Sequence, residues 1–358
     1  MSTNRLETLS DSRQWSQSPA LVAVAGQGGV LSPALRKVER LSKGRVAVPG
    51  ACGELVQGTL DGEQPFLISC PIDRFSVAEV ELTPERKDWS CPPDTPKSVA
   101  SLRATLDRLG RAEMGGRLRI RSDLPRAKGM ASSTADIAAT VYALAKALGE
   151  EVEPWEAARI ALGVEPSDSL MFPGLALFDH RGGRVYEDLG PAPPLEIVVL
   201  DFGGTVDTLA YNRCYRADLL WKMVAEHREA LAAVKEGLRR ENLADIGYGA
   251  TLSARAHQRI LPKPQLGTAI GLVREVGALG VNVAHSGTVI GLLLDPSQAD
   301  GPATVAYLAT HLPGLESISL NRMVGGGPRL AGIEGAFCTS SQTSDLNFAQ
   351  IDHQVIVR

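Results

Sequence analysis

The segment PRAKGMASSTAD at residues 125–136 carries the densest chemical signal in the chain. Ala127, Gly129, Ala131, Ser132 and Ser133 are small enough for the backbone to curl closely around a ligand, and the curl runs straight into a helical pattern. The N-terminus of that helix presents unpaired N–H groups and the positive end of a dipole, which suits phosphate. Lys128 stands where its ammonium could neutralise phosphate charge. Ser133 and Asp136 have capping-box spacing, so Ser133 could cap the helix or donate its hydroxyl to a metal-bound phosphate, two roles that compete for one oxygen. The spacing matches neither G-x-x-x-x-G-K-[ST] nor G-x-G-x-x-G. On the residues alone, a phosphate loop and a capped helix behind a tight loop both stay open.

Weaker candidates lie elsewhere. Asp168, between Ser167 and Ser169, sits in the ordinary context of a turn or cap residue. AHSGT at 284–288 reads as a hairpin turn between two apolar runs. FGGTVDTLAYN at 202–212 offers Asp207, Thr208 and Asn212 as polar groups for a pocket. Trp89 could stack on an adenine, though packing on its neighbouring prolines is the commoner role of such a tryptophan.

Interleaved strands and helices must position these groups, which indicates an α+β or α/β architecture. Alternation in PFLIS and FSVAEVEL marks half-buried strands around a Gly-rich turn, PGACGELVQG, in a β-rich opening from residue 45. The prolines at 84, 92, 93 and 96 make 84–97 a loop. Helices are expected at 98–109, at 154–162 and after the 125–136 segment, where Ile137, Val141, Leu144 and Leu148 recur at helical spacing and Gly149 stops them. Past PAPP at 191–194 come a strand at 196–202, helices near 217–239, 242–259 and 265–276, and strands at 281–284 and 289–294. The expected division is an extension at 1–43 with a short helix over 32–41, domains at 44–194 and 195–335, and a tail at 336–358.

The chain has 358 residues, 44% hydrophobic and 22% charged, the composition of a globular protein of about two domains. A net charge of -4 lacks the basic excess of a nucleic-acid binder. Its apolar runs fall far short of the ~18 residues that span a membrane, and its opening residues are unlike a signal peptide, so the expected location is cytoplasmic. Five scattered cysteines without a C-x-x-C pair fit reduced thiols in that compartment.

PRAKGMASSTADIAA resembles the second motif of the GHMP kinases, P-x-G-x-G-L-G-S-S, with Ala127, Met130 and Ala131 departing from it. Similarity to one branch, the L-threonine kinases of cobalamin synthesis, is closer. PGACGELVQG, SCPID, AKGMASSTADIAAT, EPSDS, LALFDH, ATLSA, LPKP and VNVAHSGTVIGLLLD follow that family in the same order, over roughly residues 46–330. The resemblance implies an α+β GHMP kinase fold with a ribosomal-S5-domain-2-like first half and a ferredoxin-like second half. It implies ATP lying along Pro125, Arg126, Ala127, Lys128, Gly129, Met130, Ala131, Ser132, Ser133 and Thr134. It further implies Asp168 as the base that takes the substrate hydroxyl proton, with Ser133 and Lys128 assisting catalysis. Ser133 and Glu165 would hold Mg²⁺, Glu156 competing for the second place. Glu54, Asp168, His285, Ser286, Gly287 and Asp207 would line the substrate pocket, with Glu54 on the amino group. The activity implied is phosphorylation of the hydroxyl of L-threonine to O-phospho-L-threonine for the aminopropanol linker of cobalamin. The alternatives are a kinase of another small alcohol, such as homoserine or ethanolamine, and a nucleotide-binding regulator without turnover. The expected partner is the small-molecule substrate, with no nucleic acid and no membrane, and the sequence allows a homodimer.

Overall fold

Two long strands, β1 (Lys43–Thr59) and β2 (Pro65–Thr83), pair antiparallel from Lys43 opposite Glu81 to Thr59 opposite Pro65, and the remaining elements assemble around them. The structure, a computed structural model, describes residues 43–83, 85–206, 211 and 216–330. The expected helix over 32–41, most of the 1–43 extension, the 336–358 tail and Asp207, Thr208 and Asn212 lie outside the described residues.

The described strands form one sheet in the order β10-β7-β9-β8-β1-β2-β4-β3. Its further members are β3 (Trp89–Ser90), β4 (Gly115–Ser122), β7 (Glu196–Asp201), β8 (Gly280–Val283), β9 (Ile290–Leu294) and β10 (Ser317–Arg322). β5 (Ala176–Phe178) adds to β2 and carries β6 (Tyr186–Asp188), while β11 (Arg329–Leu330) adds to β1. All pairings are antiparallel except β3 with β4. Against the sheet pack α1 (Pro96–Arg108), α2 (Ser132–Leu148), α3 (Pro154–Val164), α4 (Ala217–Lys222), α5 (Val224–Arg240), α6 (Leu243–His257), α7 (Leu266–Leu272) and α8 (Gly301–His311). The architecture is α+β.

α2 is the central helix: Ile137, Val141, Leu144 and Ala147 are buried on β1 and β2 beside Phe66, Ile68 and Val80. Gly149, at φ 70°, ends it in the left-handed conformation that glycine adopts at low cost. α1 begins at Pro96, inside the stretch expected to be loop, because a proline in the first helical turn forfeits no intrahelical bond. The larger core draws on Leu195, Ile197, Ala230 and Ile246 as well as on the first half, so core and sheet both continue across residue 194. A second cluster, including Leu200, Leu292, Leu308 and Ile318, fills the β7–β9–β10 end.

PGACGELVQG, expected as a Gly-rich turn, lies inside β1. Its turn signals serve as bulges, with register shifts between Pro49 and Gly50 and on both sides of Glu54. There the backbone leaves β2 to donate elsewhere: Ala51 N–H bonds the Met130 carbonyl at 3.1 Å and Gly53 N–H the Gly129 carbonyl at 3.2 Å. Gly53 has φ +55°, and a Cβ on it would lie 2.4 Å from the Val283 carbonyl. Gly53→Ala should therefore destabilise the fold by roughly 1–3 kcal/mol, read as a lower urea midpoint at unchanged slope.

Candidate active site

A cavity of about 430 Å³ opens between the 125–134 segment, the start of α1, the loop after α3 and the 284–288 turn. On its floor, Ala127 and Ala131 hold left-handed φ of 60° and 54° and Gly129 one of 82°. Every carbonyl from residue 127 to 131 is tied down. Ala127 accepts from Val206 N–H, Lys128 from Thr288 and Val289, Gly129 from Gly53, Met130 from Ala51, and Ala131 from Ala135. Among the described residues, no backbone N–H of residues 127–134 donates to a protein acceptor. A loop with its carbonyls satisfied and its N–H groups unused, leading into a helix N-terminus, is an anion site.

The expected capping box does not form. The cap position falls to Ala131 without a side-chain bond; Asp136 instead accepts from Ser76 across the core, and Ser133 Oγ donates to Glu165 Oε1. Glu165, 6% exposed, receives Lys97 Nζ on its other oxygen at 2.6 Å. Lys97 was missed by sequence reasoning; it lies in the stretch expected as loop, where nothing local ties it to Ser133. Lys128 faces the other way. Its ammonium is 2.9 Å from Asp201 Oδ1, on β7, and only its backbone belongs to the loop. Glu156 pairs with Arg108 at 2.7 Å, away from the cavity. Trp89 donates its indole N–H to Met114 and packs on the core.

Across from the loop, Asp168 accepts from Thr134 Oγ1 at 3.1 Å and returns its own N–H to that oxygen at 3.2 Å. Beside it on β1 is Glu54, 4% exposed, with Oε2 buried and without a partner. Burial, and secondarily Asp168, push the Glu54 carboxyl well above its ordinary value. Burial raises Asp168 to about 6. Two adjacent buried carboxyls do not both ionise easily, so they act as one pair.

His285 and Ser286 reach the cavity wall, as do Arg126, Met130, Ser132 and Thr134. Pro125 precedes the lining residues, and Gly287 lies beneath the loop, where a Cβ would stand 2.2 Å from Gly129 N. His180, just after β5, also lines the cavity. Its only sequence signal was its place in LALFDH.

Asp168→Asn should separate stability from chemistry. Because burial raises the folded-state pKa, the neutral carboxyl favours folding, a contribution present in full below pH about 4 and lost as pH climbs through about 6. The asparagine variant should thus be more stable than the parent by roughly 1–3 kcal/mol at pH 7–8, with no advantage near pH 3.5, as melting curves at several pH values would read.

The comparisons agree with this architecture. The family model GHMP kinases N terminal domain matches residues 97–172, and GHMP kinases C terminal matches 234–301. The L-threonine kinase of Salmonella typhimurium is 37% identical over 290 residues, 79% of this chain and 94% of that protein. That of Citrobacter freundii is 38% identical over 298 residues, 79% and 98%. Among solved structures, homoserine kinase from Cytophaga hutchinsonii aligns with TM-score 0.64 at 15% identity, over 84% of this chain and 99% of its own. Mevalonate diphosphate decarboxylase from Staphylococcus aureus aligns with TM-score 0.66 at 14% identity, over 83% and 100%. A decarboxylase and a kinase on one fold are a reminder that the fold does not choose the reaction.

Proposed function

The chain belongs to the GHMP kinase family, among the L-threonine kinases, and from that premise we propose that it transfers the γ-phosphoryl group of ATP to the side-chain hydroxyl of L-threonine. The products are ADP and O-phospho-L-threonine, the latter assigned to the aminopropanol linker of cobalamin. The observation that carries the reading is the meeting, in one cavity, of the unused N–H groups of residues 127–134 with the Glu54–Asp168 pair.

Phosphoryl transfer needs charge neutralisation and in-line placement more than covalent help from the protein. In this reading the 127–134 N–H groups and Lys97 hold the triphosphate, and Asp168 takes the proton that the threonine Oγ loses as it bonds to phosphorus. The substrate ammonium, lying on Glu54, supplies the positive charge that lets both carboxyls of the pair be ionised together. Mg²⁺ fits the donor set, since Glu165 and Ser133 offer two hard oxygens side by side, the partial shell this ion takes from a protein when phosphates and water complete it. When bound it would neutralise phosphate charge. The placement of Glu156 against Arg108 supports Glu165 for this role. The two family models, at 97–172 and 234–301, fall on either side of residue 194, which supports the division into 44–194 and 195–335. A cytoplasmic setting is supported by the free thiols of Cys52, Cys70 and Cys91; among the described residues no helix is long and apolar enough to cross a membrane.

ADP release with Mg-ATP should be measured against L-threonine, D-threonine, L-serine, L-homoserine, ethanolamine and aminopropanol, with the product identified by phosphorus NMR. The expected outcome is a strong preference for L-threonine, with kcat rising as pH passes through about 6 and falling by about 10²–10⁴ in Asp168→Asn. Preference for another alcohol would retain the kinase and remove the threonine assignment, and binding without turnover would favour a regulator.

The two lysines give a second test. Lys97→Ala should raise the KM for ATP roughly tenfold or more, through loss of a cation on the phosphate side. Lys128→Ala strands Asp201, 9% exposed, and should act chiefly on stability, lowering the melting temperature while leaving the KM for ATP within about threefold.

A further inference from the structure

The cavity that holds the acid pair is also lined by two histidines, which differ from that pair in electrical character. His180 and His285 form a partition between the main cavity and a smaller one of about 50 Å³, which Arg181, Arg216, His227 and His257 help to line. The rings of His180 and His285 meet edge-on at 4.7 Å, and His257 stacks on His285 at 5.6 Å. Lys263 donates to the Ala284 carbonyl at 3.0 Å, and burial lowers its ammonium to about 8.

Hydrogen bonding fixes one tautomer. Gln57 Nε2 donates to the Val283 carbonyl at 3.2 Å, so Gln57 Oε1 faces His285 Nδ1 at 2.6 Å and that nitrogen carries the proton. His180 is 5% exposed and its Nδ1 is buried without a partner, a state that proteins rarely leave unsatisfied. The groups whose charge acts on His285 are His180, His257, Lys263 and Arg181, none of them acidic. Asp179 stands beside His180, but its oxygens accept from the N–H groups of Arg181, Gly182 and Arg184. Burial holds His180 at about 4 and His285 well below its ordinary value, so the wall is neutral and lacks a counter-ion. With its one N–H given to Gln57, His285 leaves the donor role to His180, whose unpartnered Nδ1 would carry its proton to an acceptor in the positive field of Arg181 and Lys263, whereas Glu54 and Asp168 in the same cavity are complementary to a cation and a hydroxyl.

A free hydroxy-amino acid carries all three groups. We propose that His180, in the His180–His285 wall, donates its Nδ1–H to the α-carboxylate of the substrate, while the ammonium lies on Glu54 and the hydroxyl at Asp168. This rests on the reading of the cavity as the site of an L-threonine kinase and adds the element that selects an amino acid over an amino alcohol.

The test compares L-threonine with 1-aminopropan-2-ol, which lacks only the carboxylate, in wild type and in His180→Leu. Wild type should favour L-threonine in kcat/KM. In the variant that preference should fall roughly tenfold to a hundredfold, through the KM for L-threonine, with its kcat within about threefold and the KM for ATP unmoved. Should the leucine variant fail to fold, as a melting curve would report, His180→Gln carries the same test, with a fall in preference of about threefold or more expected. A folded variant that keeps the preference, or loses activity equally on both substrates, overturns the carboxylate assignment alone. A wild type that turns over 1-aminopropan-2-ol and not L-threonine overturns the underlying reading and this inference together.

Discussion

The carbonyl oxygens of residues 127–131 are all held by backbone N–H groups of the protein, and nearly everything else about the site follows from that. A peptide whose C=O is held on one side presents its N–H on the other, so five satisfied carbonyls turn a row of donors toward the cavity. The bonds come from four directions: β1 through Ala51 and Gly53, the 284–288 turn and the residue before β9 through Thr288 and Val289, the segment after β7 through Val206, and the first turn of α2 through Ala135. Each requires backbone to approach backbone. Gly287 admits the loop where a Cβ would overlap Gly129 N and Lys128, and Gly53 admits the Val283 carbonyl. The antiparallel order β9-β8-β1-β2 brings those segments side by side, so sheet topology and anion site answer the same demand.

Polar groups around the cavity divide into those the fold has satisfied and those it has left wanting. Ser133, Glu165 and Lys97 form a closed chain of donors and acceptors, and Lys128 and Asp201 form another outside the cavity. Glu54 Oε2 and His180 Nδ1 are buried and unpaired, on residues that both line the cavity. Groups in such states lower stability, and they are tolerated where a ligand completes them. Asp168 shows the same conflict in its acid–base behaviour: burial favours the neutral carboxyl that folding prefers, whereas a proton acceptor must be ionised.

Patterns confined to a few neighbouring residues were legible in the sequence. α2 with its Gly149 stop, β7, β8 and β9 lie where periodicity and turn residues place them, within a few residues. What was not legible depends on distant partners. Glycines in PGACGELVQG are identical in type to turn glycines, and only β8 and the 127–131 loop, far along the chain, make them bulges of one long strand. Ser133 and Asp136 have capping-box spacing, yet Ser76 and Glu165 offer partners that outcompete the backbone. Lys128 is adjacent in sequence to the phosphate loop and is drawn off by an aspartate 73 residues away. Lys97 and His180 were invisible for the converse reason, being ordinary residues locally that the fold delivers to the cavity. α8 and β10, beyond residue 294, had no element assigned to them from the sequence.

The two alanines that depart from the glycines of the family motif, Ala127 and Ala131, are the residues held at left-handed φ. An L-residue there costs roughly 1–2 kcal/mol that glycine avoids. Against this, glycine leaves the unfolded chain more conformations to lose, worth about 0.4–1 kcal/mol in the opposite direction. The first term is the larger, so alanine at these two positions is a net cost, which the bonds to the tied carbonyls offset by enforcing the conformation. An alanine by itself favours right-handed or extended backbone, so it is the five carbonyl bonds that confine residues 127 and 131 to the left-handed region. The donors of this loop are thereby held in one arrangement before phosphate arrives, and less ordering is left for binding to accomplish.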